Sequence, residues 1–425
     1  MTADKLSVDE VNLSNPELWL GPIAAREAAF ATLRRERPVS FHTEMDYGPL
    51  PPGPGYWALT RYADILEASR QPEIFCSGQG SNIADLPIPF AEFFGSMINM
   101  DDPRHARLRR IVSRGFTPRM LAQVDADVQR VATRIVDEIG ERGSCDFVTD
   151  VAAALPLEVI CNMMGIAPSE HRFVFDRTNV ILGAGDPEYV SDPAQIIPAL
   201  LQAGADLAEL MRGLATERER EPRDDLTSAL IHAEVDGEKL DYQELASFFV
   251  LLVVAGNETT RNAIAHGLLA LHEHPAERRI WEADFDAVAP TAVEEIVRWA
   301  TPVIHFRRTA TRDTTIGGQA IKAGDKVVLW YSSANRDEVV FADPYRFDVR
   351  RKPNEHVGFG GPGPHFCLGA HLARREITVM FRELLRRLPD IAVSGPPERL
   401  ASFFINGIKH LPCSFTPRED RQAGS

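Results

Sequence analysis

Gly358-Phe359-Gly360-Gly361-Pro362-Gly363-Pro364-His365-Phe366-Cys367-Leu368-Gly369 is the stretch on which the reading of this chain turns. Residues 358–363 satisfy G-x-G-x-x-G, the spacing of a dinucleotide-binding turn, but that turn needs a buried strand before it and a helix opening inside it. Here Lys352-Pro353-Asn354-Glu355-His356 precedes the glycines, and Pro362 and Pro364 block an early helix. The match is accidental. Zinc is a second alternative, because His365, Cys367 and His371 are ligand types at close spacing. Structural zinc takes about four ligands in paired clusters, and no fourth candidate is near in sequence. A third alternative is a buried free cysteine in a tight loop. The fourth is a metal-bound thiolate. Cys367 stands at the start of a predicted helix running to about Arg387, whose N–H groups and dipole favour ionised sulfur. The glycines let backbone donors and a flat cofactor crowd around it.

Outward from this loop, composition narrows the classes. The chain has 425 residues, 61 acidic against 46 basic, a net charge of −15 and 44% hydrophobic residues. That is an ordinary globular composition, with enough chain for a large core and a buried cofactor. An acidic balance argues against nucleic acid as a partner. Met1 to Glu10 lacks the basic and apolar blocks of a signal peptide. The most apolar run, Ala246 to Gly256, falls far short of the roughly 20 residues that span a bilayer. Cys76, Cys145, Cys161, Cys367 and Cys413 are scattered, without a CxxC pair, which fits a reducing compartment. A cytoplasmic protein without a transmembrane segment is expected.

The chain reads as one domain over 1–425, mainly α with a smaller β part (α+β). Residues 1–20 are expected to be a loose arm and 417–425 a flexible tail. Roughly 76–300 is helix-rich, beginning in earnest at Asp101-Asp102-Pro103. The β-rich part draws on roughly 50–75, 301–350 and 391–416. Turns such as Gly317-Gly318 separate short pieces like Val327-Val328-Leu329-Trp330 there. The longest helical pattern is 242–273, apolar at its centre and therefore expected to be buried.

That helix carries Ala255-Gly256-Asn257-Glu258-Thr259-Thr260. A buried helix holding Gly and Thr is unremarkable by itself, but Gly, Asn, Glu and two Thr in its apolar middle ask for a reason. Gly256 permits a local distortion beside a diatomic ligand, Thr259 offers a hydroxyl to it, and Glu258 can relay protons.

With the loop and this block together, the chain resembles the cytochrome P450 monooxygenases. G-P-H-F-C-L-G-A is similar to the family's haem-ligand loop, and Ala255–Thr259 to its A-G-x-[DE]-T motif. The common form of the loop puts Phe seven residues before Cys. Here Gly360 stands there and Phe359 one place earlier, as in a bacterial lipid- and sterol-oxidising branch. The resemblance implies haem b with Cys367 as axial thiolate, which pushes electron density toward bound oxygen. It implies catalytic roles for Gly256, Glu258 and Thr259, with O2 as co-substrate. Phe359, Gly369 and Ala255 would border the haem, and His105, Arg109, Arg308 and His365 would hold its propionates. His105 and Arg109 are four apart and share a helix face. Glu295 and Arg298, an E-x-x-R pair, would form a buried structural ion pair with Arg346.

The chain carries no flavin or ferredoxin segment, so the resemblance implies a ferredoxin and its reductase as partners. A basic face at Arg104, Arg107, Arg110 and Arg114 is a candidate for docking the ferredoxin, with ordinary surface charge as the alternative. Stretches such as Cys161-Asn162-Met163-Met164-Gly165-Ile166 and Asn406-Gly407-Ile408-Lys409 are similar to the methyl-branched lipid ω-hydroxylase subgroup. That implies a hydrophobic small-molecule substrate oxidised at a branched chain end. Phe94, Leu251, Val254, Val303, His305 and Phe404 are the candidate pocket residues, with His305 either orienting a substrate head group or, as the favoured alternative, a core histidine. Two alternatives stand beside this: a sterol side-chain or terpenoid hydroxylase on the same scaffold, and a non-catalytic haem-binding sensor or carrier.

Overall fold

The computed structural model describes residues 7–45, 52–234 and 237–418. Its longest helix, Tyr242–Glu273, opens on a capping box in which Asp241 and Glu244 satisfy each other's backbone N–H groups. Phe248, Val250, Val253, Ile264 and Leu268 lie on different sides of it, and none is more than 2% exposed. A helix apolar all round needs neighbours all round. Ala154–Met164, Ile196–Arg220, Phe285–Ala300 and Ala370–Arg387 supply them.

The main sheet has five strands in the order Val39–His42, Tyr56–Leu59, Lys326–Trp330, His305–Ala310 and Phe75–Cys76. Tyr56–Leu59 and Lys326–Trp330 pair in parallel and the rest antiparallel. The early and late β segments are thus one structure. Lys326–Trp330 is buried at every position because strands cover both its edges.

Residues 7–20 depart from the loose arm expected of them. Val8–Glu10 and Pro16–Leu20 are helical, Leu13 is fully buried, and Trp19 stacks on Trp330 with ring centroids 5.2 Å apart. Polar neighbours in the sequence hide these two apolar anchors, which cover the end of the sheet. Residues 1–6, and 419–425 of the expected tail, lie outside the described residues; Arg418 still pairs with Asp137 at 2.7 Å. The helix after the glycine loop starts at Ala370, with Gly369 as its N-cap, three residues later than expected. Among the described residues, no helix is long and apolar enough to cross a membrane.

Candidate active site

The glycine loop closes on itself before the helix begins. Cys367 N–H donates to the Phe359 carbonyl at 3.0 Å, and Gly360 N–H to that of Val357 at 2.9 Å. Gly360 and Gly363 have φ of +87° and +143°, where a side chain would be strained. A Cβ at Gly361 would stand 2.4 Å from Ser69 Oγ, so the loop lies directly on the helix Tyr62–Ser69. Arg374 covers the Phe359 ring at 4.4 Å, and Glu294 holds Arg374 through contacts of 2.5 and 2.9 Å.

Cys367 opens onto a cavity of about 510 Å³. Protein packed around its sulfur pushes the thiol above its ordinary range, against the Gly369 amide, Arg109 and Arg374. One wall comes from the central helix, where Phe248, Leu251, Leu252, Ala255, Gly256 and Thr259 recur at helical spacing. Thr259 Oγ1 donates to the Ala255 carbonyl at 2.7 Å. A Cβ on Gly256 would lie 2.4 Å from Ile160 Cδ1, so a larger residue there would have to push that methyl aside. Glu258 does not line the cavity. It is 1% exposed and ion-paired with Arg261, which also donates to Asn179 Oδ1 at 2.9 Å. Burial raises the Glu258 pKa, and its Oε1 has no partner.

The cavity has one cationic corner. His105, Arg109, Arg308 and His365 all line it, with the two imidazoles 4.4 Å apart between centroids. Arg109 is braced by the carbonyls of Pro364 and Phe366 at 2.9 and 2.7 Å. Burial, then Arg308, His105 and Arg109, lowers the His365 pKa to about 2, so it is neutral. His105 touches Asp102 at 3.4 Å through Nδ1, while its buried Nε2 has no partner. The corner offers the guanidiniums of Arg109 and Arg308 and the two imidazoles to an anion, with Asp102 against His105.

Of the six candidate pocket residues, Leu251 and Val303 line the cavity; Phe94, Val254, His305 and Phe404 do not. Strand alternation explains His305. Phe306 and Arg308 of His305–Ala310 face the cavity, and His305 falls on the other side among Trp330, Phe403 and Phe404. Phe404 packs edge-on against Phe306 at 5.6 Å, behind the wall. Val254 is four residues from Glu258 and shares its off-cavity face. Phe94 packs edge-on against Phe93 at 5.1 Å, and a Cβ on Gly204 would come within 2.8 Å of it.

Glu376, which the sequence reading missed, does line the cavity. It is 2% exposed, and burial pushes it up to about 8 against a hydrogen bond from Thr260. The available signal was its spacing with Leu372 and Ala373, which line the same wall.

The E-x-x-R pair is buried as expected. Arg298 Nε and Nη2 each donate to Glu295 at 2.7 Å, with both side chains fully buried. Arg346 is not its third member. Its side chain is 58% exposed and reaches Glu277 at 3.5 Å, and only its carbonyl joins the cluster. Arg351 takes the place, with Nε 3.0 Å from Glu295 Oε2. Nor is the basic helix face free for docking throughout: Arg104 pairs with Glu92 at 2.8 Å, and Arg107 with Glu244 at 2.7 Å and Glu238 at 2.5 Å.

The family model for cytochrome P450 matches residues 287–390. The methyl-branched lipid omega-hydroxylases of Mycobacterium bovis and Mycobacterium tuberculosis are 51% identical to the chain over 415 residues, covering 97% of it and 96% of theirs. The chain belongs to the cytochrome P450 family. This P450 is also 40% identical to the steroid C26-monooxygenase of Rhodococcus jostii, over 95% of its own length and 84% of that enzyme's. Its fold matches a Mycobacterium marinum cytochrome P450 in complex with pseudoionone, with TM-score 0.91, 44% identity, and coverage of 97% and 100%. It is a monooxygenase that carries haem iron. The structure fits that group: a thiol lining the cavity, and a corner of two arginines and two histidines with an orphaned imidazole nitrogen suited to carboxylates.

Proposed function

We propose that this P450 hydroxylates the terminal carbon at the methyl-branched end of an isoprenoid-type lipid. The observation that carries the reading is the apolar wall of Phe248, Leu251, Leu252, Val303 and Phe306 in the cavity onto which Cys367 opens. The 51% identity to two enzymes named methyl-branched lipid omega-hydroxylase supports the substrate class. Apolar side chains hold a greasy chain without directing it polarly, so the end must be selected by shape.

In this reading Cys367 binds the haem iron as thiolate, and His105, Arg109, Arg308 and His365 hold the propionates, with Phe359, Gly369 and Ala255 against the macrocycle. The bound haem supplies the redox centre that activates O2. Thr259 holds a proton at Oγ1, exchanging its bond to the Ala255 carbonyl for one toward the cavity. Glu258, with Oε1 unpartnered and Arg261 beside it, feeds that hydroxyl from the protein side. Gly256 brings the helix close to Ile160 and keeps this stretch free of a side chain. Electrons come from a ferredoxin and its reductase.

The test is an optical titration with a branched isoprenoid acid, a straight-chain acid and a sterol. A saturable low- to high-spin shift of the Soret band, tightest for the branched acid, is expected. A tighter shift with the sterol would move the assignment to side-chain oxidation of sterols, and no shift with the branched acid would discard the proposed substrate class.

A further inference from the structure

A second cavity, of about 300 Å³, shares no lining residue with the first. The two lie on opposite sides of one segment: Pro302, Val303 and Phe306 line the first, and Thr301 and Ile304 the second. Its volume is at the lower end of ordinary small-molecule sites, roughly 300–1,000 Å³. Trp19, Phe30, Leu269 and Ile304 give it an apolar side.

The rest of its lining is charged and incompletely satisfied. Arg336 is 8% exposed; it donates to the carbonyls of Arg298 and Trp299 at 3.1 and 2.9 Å and lies 4.5 Å over the Trp299 ring. Its Nε has no hydrogen bond and stands 3.6 Å from Glu27. Arg399 Nη1 and Ser332 Oγ, on two further lining residues, are also buried without a partner. Arg26 completes the set, donating to Asn406 Oδ1 at 3.4 Å. Four guanidiniums line the cavity; Arg34 is taken by Glu338, and Arg26, Arg336 and Arg399 meet the two lining carboxylates, Glu27 and an exposed Glu273.

The three arginines are close enough to act on one buried group. His266 donates through Nε2 to the Asn406 carbonyl at 2.9 Å. Burial, then Arg399, Arg26 and Arg336, lowers its pKa to about 3, so it adds no charge of its own. Burial and Arg399 lower Arg26 to about 10, and burial and Arg298 do the same to Arg336. Arginine does not relieve such crowding by losing its proton near neutrality, whereas an anion relieves it directly.

We propose that this cavity binds a monocarboxylate with an apolar body, at a site separate from the substrate cavity. The carboxylate takes Arg399 Nη1 and Arg336 Nε as donors, with Ser332 Oγ beside them. The body lies along Trp19, Phe30 and Leu269. A bare inorganic anion would use the donors and leave that apolar side wet, so the organic acid is the better match.

The probe is para-trifluoromethyl benzoate, followed by fluorine NMR on the holoenzyme whose substrate cavity has been blocked with a tight haem-ligating azole. Saturable binding is expected to survive the azole and leave the Soret band unmoved. It should weaken by about tenfold or more in Arg399→Gln, and the matching benzamide should fail to bind. Arg336 is held by the carbonyls of Arg298 and Trp299 and by the Trp299 ring, not by Arg399, so that variant leaves those contacts in place. Loss of binding on adding azole would place the probe in the substrate cavity and overturn the proposal. So would equal binding of the amide, or unchanged affinity in both Arg399→Gln and Ser332→Ala. Displacement by inorganic phosphate at equal strength would overturn the organic acid in favour of a plain anion site.

Discussion

Arg351 Nε lies 3.0 Å from Oε2 of Glu295, a carboxylate with no exposed surface. Glu295 also accepts from Arg298, from Asn354 Nδ2 at 3.2 Å and from Asp348 N–H at 2.9 Å. Arg351 itself reaches the carbonyls of Ala342, Asp343 and Arg346. Removing Arg351 leaves Glu295 paired with Arg298 but strips it of one charged hydrogen bond and leaves three backbone carbonyls without that donor, at about 1–3 kcal/mol. Arg351→Ala is expected to lose stability on that scale, while Arg346→Ala, with an exposed side chain, loses under about 1 kcal/mol. Denaturant midpoints of the two variants decide it, and the reverse order would reinstate Arg346.

Glu294 joins His356, at 3.0 Å, to Arg374 over Phe359. Burial pushes its carboxyl up, but the hydrogen bonds from His356 and Arg374 outweigh that and lower it from 4.5 to about 2. A depressed acid stabilises the fold above its unfolded pKa and loses that contribution as pH falls through its folded one. Glu294→Gln is therefore expected to be less stable than wild type at pH 7. The gap should narrow between pH 4.5 and 2. A gap independent of pH over that window would show that the charge is not what Glu294 contributes.

Thr259 Oγ1 is bonded to the Ala255 carbonyl at 2.7 Å, and Glu258 stands behind it, off the cavity. Thr259→Ala is expected to go on consuming reducing equivalents while product falls and peroxide is released. Glu258→Gln should slow the whole turnover, by about 10²-fold for a lost proton-transfer group. Thr259→Ala is read from the ratio of reductant consumed to product formed, and Glu258→Gln from the rate of product formation. Unchanged coupling in Thr259→Ala would remove its assigned role.

Gly256 is the third case, because two readings of it predict different results. A Cβ there would meet Ile160 Cδ1 at 2.4 Å. Gly256→Ala should cost about 1–3 kcal/mol by overpacking. Combining it with Ile160→Val, which removes that methyl, should recover part of the loss. Strict additivity of the two changes would mean that packing against Ile160 is not the reason for the glycine.

The loop around Cys367 and the central helix were legible because their chemistry is local: glycines at forced φ values, prolines that delay a helix, polar residues in an apolar run. The members missed are those set by tertiary geometry. The resemblance points to Arg346 alone, and only the path of the connecting segment turns Arg351 inward in its place. His305 is the core histidine of its two readings, because its strand has period two and Phe306 and Arg308 take the cavity face. Leu13 and Trp19 sit in a polar, acidic segment, so nothing nearby announces that they are core. Glu376 looked like one more charge on a helix rich in arginine, since burial is not written in a residue's type.

Tyr56–Leu59 lies against Lys326–Trp330, and the pairing cannot form until most of the chain has been made. Phe306 and Arg308 stand on the strand that shares the other edge of Lys326–Trp330. During synthesis the helical segments can collapse early and the first two strands can pair with each other, but joining them to the rest of the sheet must wait for the last third of the protein, and such non-local closure is slow. At the proposed haem site, capture would then fall near the end of biogenesis, when Cys367 and Arg308 first meet across one cavity. A truncated chain ending before residue 305 would be a helical body with no pocket to offer.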